Sequence, residues 1–197
     1  ASADLAARAP AAQLRIAEHP VLSVNGNVAA LVPDELVELA AAVDADLEVN
    51  LFNRGDGRAE RIAEHLREHG AAEVKGLAGD ASIPGLEHGR GTVDADGIYE
   101  ADVVVVPLED GDRAEALAAM GKTEIVIDLN PLSRSARSAA IPIVDNVVRA
   151  VPNVARHARE LRDAPRAELR AVVEDFDAAA AREDAERAIR EGAVAEA

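Results

Sequence analysis

Polar side chains, mostly arginine, asparagine and aspartate, recur directly after the apolar segments of this sequence. Those after the first two segments are Asn25, Asn27, Asn53 and Arg54. Those after the later segments are Glu109, Asp110, Asp112, Arg113, Asp128, Asn130, Ser133, Arg134, Ser135, Asp145, Asn146 and Arg149. A glycine-rich stretch between the two groups adds His88 and Arg90. Several arginines at one rim would bind phosphate through bidentate hydrogen bonds, and the interleaved acids would bind a metal ion or an ammonium group.

The apolar segments have the pattern of a parallel sheet with intervening helices. Strands are predicted at residues 21–25, 46–52, 73–77, 102–108, 123–129 and 141–144. Helices are predicted at residues 2–18, 33–43, 56–69, 112–120 and 165–191, with one more from about residue 145 that Pro152 could kink. This alternation indicates an α/β fold with a mostly parallel sheet.

The polar residues are expected to converge at one edge of this sheet, because ligands of parallel sheets gather at the carboxyl ends of the strands. Ordinary turn and capping chemistry accounts for any single one of them, and Asp112 and Asp145 are plausible helix N-caps. The glycine-rich loop at residues 78–98 is expected to be functional, because loops of this length inside compact domains usually are.

The charge balance and composition exclude several classes of protein. The 197 residues carry 21 Lys and Arg against 37 Asp and Glu, a formal net charge of −16, and only three aromatic residues. A general nucleic-acid binder needs a basic face, and a single-strand binder needs aromatic platforms, so we expect no nucleic-acid partner. The acids are scattered rather than bunched, which favours adaptation to concentrated salt, where their repulsion is screened, over a cationic partner.

The absence of cysteine from the sequence excludes a disulfide framework, cysteine zinc sites and thiol catalysis. No apolar run approaches the roughly 18 residues needed to span a bilayer, and the first residues lack the basic region of a signal peptide. We therefore expect a cytoplasmic protein with no membrane partner.

Three weaker patterns do not define a site. Residues 121–123 (Gly-Lys-Thr) resemble the end of a phosphate-binding loop, but they follow a helix rather than a strand, so a helix C-cap is predicted. Residues 25–30 lack the G-x-G-x-x-G spacing of a dinucleotide site. His65 and His69 lie among charged residues on one helix, which favours a solvated face over a zinc site, and no Ser–His–Asp arrangement is legible.

Five segments together resemble the archaeal 4-phosphopantoate–β-alanine ligase family, also called phosphopantothenate synthetase. They are residues 23–31, 48–52, 83–88, 106–113 and 128–134. The resemblance implies a Rossmann-like α/β homodimer that makes 4′-phosphopantothenate in coenzyme A synthesis from 4-phosphopantoate and β-alanine. It also implies consumption of ATP with Mg²⁺ and release of AMP and pyrophosphate, through an acyl-adenylate that the amine of β-alanine attacks.

The resemblance also implies roles for the polar residues. The nucleotide would be bound by Asp128, Leu129, Asn130, Arg134, Ser135, Asn146 and Val147. Phosphopantoate and its activated carboxyl would be bound by Asn25, Asn27, Asn53 and Arg54, with His88, Arg90, Arg113 and Asp112 as the catalytic group. Glu109, Asp110 or Asp112 would hold Mg²⁺ or the β-alanine ammonium. Residues 1–160 would then form the catalytic domain and residues 161–197 a C-terminal helical extension.

One departure from the family pattern is the expected absence of an N-terminal segment whose basic residues contact ATP, because the sequence opens inside a helical pattern without methionine. Two alternatives therefore stay open. One is a non-catalytic nucleotide-binding or dimerisation module, and the other is a nicotinamide-dependent oxidoreductase, against which the missing glycine fingerprint counts.

Overall fold

A five-stranded parallel sheet forms the centre of the protein, as seen in a computed structural model that describes residues 2–55, 57–108 and 111–192. The strands in chain order are β1 (Pro20–Val24), β2 (Asp46–Val49), β3 (Ala81–Ser82), β4 (Thr92–Val93), β5 (Val103–Pro107), β6 (Thr123–Asp128) and β7 (Ile141–Val144). The large sheet has the order β2-β1-β5-β6-β7, and β3 pairs with β4 in a separate antiparallel ribbon. The predicted α/β fold with a mostly parallel sheet is confirmed.

Helices cover both faces of the sheet. They are α1 (Ser2–Ile16), α2 (Gly26–Leu31), α3 (Pro33–Val43), α4 (Arg58–Glu68), α5 (Gly111–Ala119), α6 (Arg134–Ser138), α7 (Val147–Glu160), α8 (Arg166–Glu174) and α9 (Ala178–Glu191). A 3₁₀ turn at Gly89–Gly91 and a π turn at Ala95–Tyr99 lie between β3 and β5.

The valines of β5 explain why the sheet is buried on both sides. Val103 and Val105 pack into one apolar cluster with α1, α3 and α7, whereas Val104 and Val106 pack into a second cluster with α5. Successive side chains of a strand point to opposite faces, so a strand covered on both faces must be apolar throughout.

Three predicted elements were wrong in extent. Residues 73–77 form no strand; Lys75 makes a single parallel bridge with Glu48, and Gly76 then turns the chain with a φ of +91°. The predicted helix at 165–191 is two helices, because the Asp177 side chain accepts hydrogen bonds from the amides of Ala179 and Ala180 and starts α9. The predicted loop at 78–98 contains β3, β4 and the two short turns.

The helix ends show two further differences from the sequence predictions. Asn146, rather than Asp145, is the N-cap of α7, which continues through Pro152, and Asp112 is the second residue of α5 rather than its cap. Gly121 follows α5 with a φ of +80°, so the predicted glycine turn at this helix end is confirmed. The adjacent Lys122 donates to the carbonyl oxygens of Tyr99 and Ala101 rather than to the carbonyl groups at the end of α5.

The C-terminal helices pack on the rest of the fold. Leu169 of α8 is buried in the same apolar cluster as α1 and α7. A division of the chain at residue 160 stays a prediction. Within the described ranges, no helix combines the length and apolar character that crossing a membrane requires.

Candidate active site

The carboxyl ends of the five strands form one edge, along which the predicted site residues are distributed. Neighbouring strands lie about 4.8 Å apart, so the edge from β2 to β7 spans roughly 19 Å. The chain moves outward from β1 to β2 and then returns to place β5 on the other side of β1. Such a reversal opens a crevice between the two strand ends, and this is the usual ligand position in open α/β sheets.

Asn25 lies at this crevice. Its side-chain Nδ2 donates to the Pro107 carbonyl oxygen at 2.9 Å and so joins the ends of β1 and β5. Its Oδ1 accepts from the amides of Asn27 and Val28 and caps α2. Asn25 is 5% exposed and its side chain is engaged in these three bonds, so Asn25 shapes the crevice, while Asn27 beside it is exposed.

Two loops bring four of the predicted residues together at the end of β2. The Phe52 ring stacks on the His88 ring with centroids 5.0 Å apart, and Asn50 Nδ2 donates to the Arg90 carbonyl oxygen at 3.1 Å. Asn53 and Arg54 follow Phe52 directly. His88 Nδ1 is buried and has no hydrogen-bond partner among the described residues. We call the group Asn53, Arg54, His88 and Arg90 the loop cluster.

Arg54 is partly committed to structure. Its guanidinium donates to the carbonyl oxygens of Gly76 at 2.5 Å and Thr92 at 3.4 Å. Asn53 is exposed, and its side chain accepts from the Gly55 amide. Of the predicted site residues near this end, Asn53 and Asn27 are therefore exposed and His88 is partly covered.

Arg113 and Asp112, though adjacent in sequence, have different environments. Arg113 is completely buried, and its Nη1 donates to Ser23 Oγ at 3.0 Å beneath β1. Asp112 is exposed and forms an ion pair with Arg134, which also contacts Glu115. The structure therefore joins Asp112 to the nucleotide-site candidates and separates it from Arg113. A contact between Arg113 and a phosphate stays a prediction.

The residues after β6 form one compact loop. Asp128 accepts from the Asn130 amide at 3.0 Å and from Ser133 Oγ at 2.6 Å, and Asn130 Oδ1 accepts from the Leu132 amide. Ser133 in turn caps α6, in which Ser135 is buried and Arg134 is exposed. These bonds fix the backbone of the loop and leave the Arg134 guanidinium at the surface.

The end of β7 lies beside this loop. Asp128 is the register partner of Val144, so the chain leaves β6 and β7 side by side, and Leu129 and Asp145 line the same cavity. Asn146 caps α7 through its bond to the Val148 amide, and Val147 is buried behind it. We call Asp128, Leu129, Asn130, Arg134, Ser135, Asn146 and Val147 the β6–β7 cluster.

A cavity of about 470 Å³ opens next to the β6–β7 cluster. Its walls are mainly apolar and include Leu129, Val144, Phe176, Ala188 and Ile189. Asp145 and Arg149 also line it, and Arg149 Nε donates to Asp145 Oδ1 at 2.9 Å. An apolar cavity of this size with a few polar groups is typical of a small-molecule site.

Candidate metal ligands are sparse in the described part of the chain. Glu109 and Asp110 lie outside the described residues, and no group of three acidic or histidine side chains elsewhere in residues 2–55, 57–108 and 111–192 is placed to hold a metal. His65 and His69 contact each other edge-on but pair with Glu68 and Asp34. Mg²⁺ commonly uses one or two carboxylates together with substrate phosphates, which the exposed Asp112 would suit.

Sequence reasoning missed Arg58, Asn50 and Glu48. The Arg58 guanidinium lies beside Gly26, 2.9 Å from where a Cβ would be, at the start of α2. Glu48 in β2 and Asn50 just after it are completely buried polar residues. The signal that could have found the latter two is the alternation of β2, in which polar residues occupy one whole face.

The fold is that of a Rossmann-like α/β protein, and the candidate site residues form two groups at the carboxyl ends of its strands. Comparison with known proteins identifies the family to which the chain belongs. A family profile described as "Phosphopantothenate/pantothenate synthetase" matches residues 2–192. The chain belongs to this family.

The relatives agree with that assignment. Proteins named "4-phosphopantoate--beta-alanine ligase" from Thermococcus onnurineus and Thermococcus kodakarensis are 58% and 57% identical to this chain over 176 residues. In both cases the alignment covers 89% of this chain and 67% of the relative. The protein of the same name from Methanosarcina mazei is 54% identical, with 89% and 69% covered.

Proposed function

We propose that this protein is a ligase that condenses 4-phosphopantoate with β-alanine in coenzyme A biosynthesis. The observation that carries the proposal is the identity of 54–58% over 89% of the chain to proteins with that name. The aligned stretch is long enough to include both parts of the edge. The release of AMP and pyrophosphate, the use of Mg²⁺, a homodimeric state and a cytoplasmic location belong to the proposal as well.

The two clusters fit the two larger substrates. ATP would lie on the β6–β7 cluster, with Arg134 on its phosphates and the base in the adjacent apolar cavity. Phosphopantoate would lie between the loop cluster and Asn25–Asn27. The end of β1 and the end of β6 are two strand spacings apart, roughly 10 Å, and β5 ends between them. The substrate carboxylate and the α-phosphate would therefore meet above the end of β5.

The chemistry needs positioning more than a protein nucleophile. A carboxylate oxygen of phosphopantoate attacks the α-phosphorus of ATP, the bond to the bridging oxygen breaks, and pyrophosphate leaves. The neutral amine of β-alanine then attacks the acyl carbon, loses a proton, and expels AMP. Holding the reacting groups together lowers the entropic part of the barrier, and cationic groups on the phosphates neutralise the charge that develops.

Production of AMP that depends on both acids is the expected result when the protein is incubated with ATP, Mg²⁺, β-alanine and 4-phosphopantoate in molar KCl. AMP should appear in equal amount to the amide product, and omission of either acid should abolish it. ATP binding without AMP would contradict the ligase and favour the non-catalytic alternative. No ATP binding at all would contradict both.

A further inference from the structure

Glu48 is a completely buried carboxyl group in the middle of β2. Its neighbours Leu47 and Val49 point into the apolar cluster under α3 and α4, so Glu48 points to the opposite face. That face carries the segment at residues 76–98 rather than a helix. The acid is therefore aimed at the segment that contains His88 and Arg90.

Both carboxylate oxygens of Glu48 accept main-chain amides of this segment. Oε1 accepts from the Asp94 amide at 3.1 Å, and Oε2 accepts from the Ile98 amide at 2.5 Å. Gly97 lies between these two amides in the chain and packs directly against the Glu48 carboxyl. A side chain would not fit there, because a Cβ would lie 2.0 Å from Oε2. One strand residue thus fastens two points of the segment.

Two other buried polar residues, Asp94 and Asn50, form further hydrogen bonds with the backbone of the segment. Asp94 accepts from the amides of Gly76 at 2.6 Å and Gly79 at 2.7 Å. Asn50, two residues after Glu48 on the same face, donates to the carbonyl oxygens of Arg90 and Thr92. His88 and Arg90 lie within this segment, whose backbone is hydrogen-bonded at each of these points.

The charges that face Glu48 come from two elements. Arg113 of α5 favours the ionised carboxylate, and the Asp94 carboxylate of the segment opposes it. Lys75, its bridge partner, directs its ammonium away to Asp46 and Asp96. Burial is the largest influence and raises the pKa of Glu48 to about 7.

We propose that Glu48 is a positioning residue of the ligase reaction, whose buried carboxyl group holds residues 88–98 of this segment, and with them His88 and Arg90, against the end of β2, where phosphopantoate would bind. The identity of that substrate rests on the proposed function, whereas the hydrogen bonds between Glu48 and the segment do not depend on it.

The test compares Glu48→Gln with Glu124→Gln. Glutamine has one acceptor oxygen, and its amide group would face a second N–H donor, so one of the two fastening bonds is lost. Glu124 of β6 is the matched control, because it is also a buried carboxyl with a pKa raised to about 7 by burial, yet among the described residues it makes no hydrogen bond to the segment. Loss of a charged hydrogen bond predicts an increase of about tenfold in KM for phosphopantoate in Glu48→Gln. KM for ATP should stay within about twofold, and Glu124→Gln should leave both unchanged.

The pH dependence of KM for phosphopantoate adds a measurement that a general loss of stability in the variant would not change. Burial against the segment raises the pKa of Glu48 to about 7, so the docked segment favours the protonated acid and docking weakens as Glu48 ionises. KM for phosphopantoate in the unmodified protein should therefore rise as pH rises through about 7. The phosphate of the substrate titrates near pH 6 in every variant, so the informative quantity is the difference between the unmodified protein and Glu48→Gln. That difference should shrink as pH rises through about 7.

Amide hydrogen exchange tests the fastening without any turnover. The amides of Asp94 and Ile98 should lose protection in Glu48→Gln and keep it in Glu124→Gln, while the amides of β5 stay protected in both. The same loss should appear in the unmodified protein on going from pH 6 to pH 8, after correction for intrinsic rates, which covers the case in which Glu48→Gln does not fold. Unchanged protection of Asp94 and Ile98 would overturn the proposal. An unmodified protein that makes no AMP would contradict the proposed function instead.

Discussion

Replacement of Gly76 by alanine is expected to lower the free energy of unfolding by about 3 kcal/mol or more. Gly76 has a φ of +91°, a conformation that L side chains rarely adopt. A Cβ at this position would lie 2.1 Å from the Val49 carbonyl oxygen and 2.8 Å from the Val49 amide nitrogen. Both atoms are backbone of β2 and cannot rotate away, so the 76–79 turn must leave the sheet edge.

Gly85→Ala is the matched control for this prediction. Gly85 has a similar φ of +82°, but nothing lies within 4 Å of its Cβ position. Its replacement should cost only the strain of the φ angle, about 1 kcal/mol. Denaturant unfolding of the two variants measures the difference, and equal losses would mean that the close approach of residue 76 to Val49 does not exist in solution. Gly76→Ala should also lose ligase activity, because its amide is one of those that Asp94 holds.

Replacement of Arg134 by alanine is expected to raise the Kd for ATP by about tenfold to a hundredfold, the effect of losing one charge-assisted contact to phosphate. The guanidinium is exposed at the end of β6, beside the start of α5. The backbone there is close, since a Cβ on Gly111 would lie 2.4 Å from the Arg134 Cβ. Arg134 is thus the accessible arginine that the β6–β7 cluster directs to the edge.

Arg137→Ala controls for charge in this second prediction. Arg137 lies one turn later in the same short helix and is also exposed. Titration calorimetry with ATP, together with thermal unfolding of both variants, separates a local contact from a general change in net charge. A Kd that rises equally in both variants, or in neither, would contradict the nucleotide assignment of Arg134.

The fold could be predicted from the sequence where apolar residues are continuous. The valines of 103–106 have no alternation, and this indicated a strand covered on both faces, as observed. The segment at 73–77 has a similar strand pattern, yet Gly76 and the amides bonded to Asp94 turn it away after one bridge. The break between α8 and α9 depends on a capping bond of Asp177 that an amphipathic pattern does not reveal.

The composition of the candidate site was predictable, but not the orientation of its side chains. Strand ends identified Asn25, Asp128 and Asn146, and the parallel sheet brings their elements to one edge. Arg113 had the same sequence signal as Arg134, yet the first lies beneath β1 against Ser23 and the second lies at the surface. Which side of a helix faces the sheet decides this difference, and position after a strand does not encode it.

The net charge of −16 is compatible with anionic substrates, because the cationic groups at the edge are few and local. Arg134 and Arg58 are exposed there, while the acids are spread over the remaining surface. At an ionic strength of 1 M the Debye length is about 3 Å, so distant carboxylates would not repel ATP. The activity measurements above therefore use molar KCl.

The fate of a carboxylate oxygen tests the central proposal most directly. 4-Phosphopantoate labelled with ¹⁸O in its carboxylate is incubated with the protein, ATP, Mg²⁺ and β-alanine, and the products are analysed by mass spectrometry. Attack of the carboxylate on the α-phosphorus predicts one ¹⁸O in the AMP released with each amide formed, and none in pyrophosphate. Label in inorganic phosphate with ADP as the nucleotide product, or amide formed without label in AMP, would contradict it.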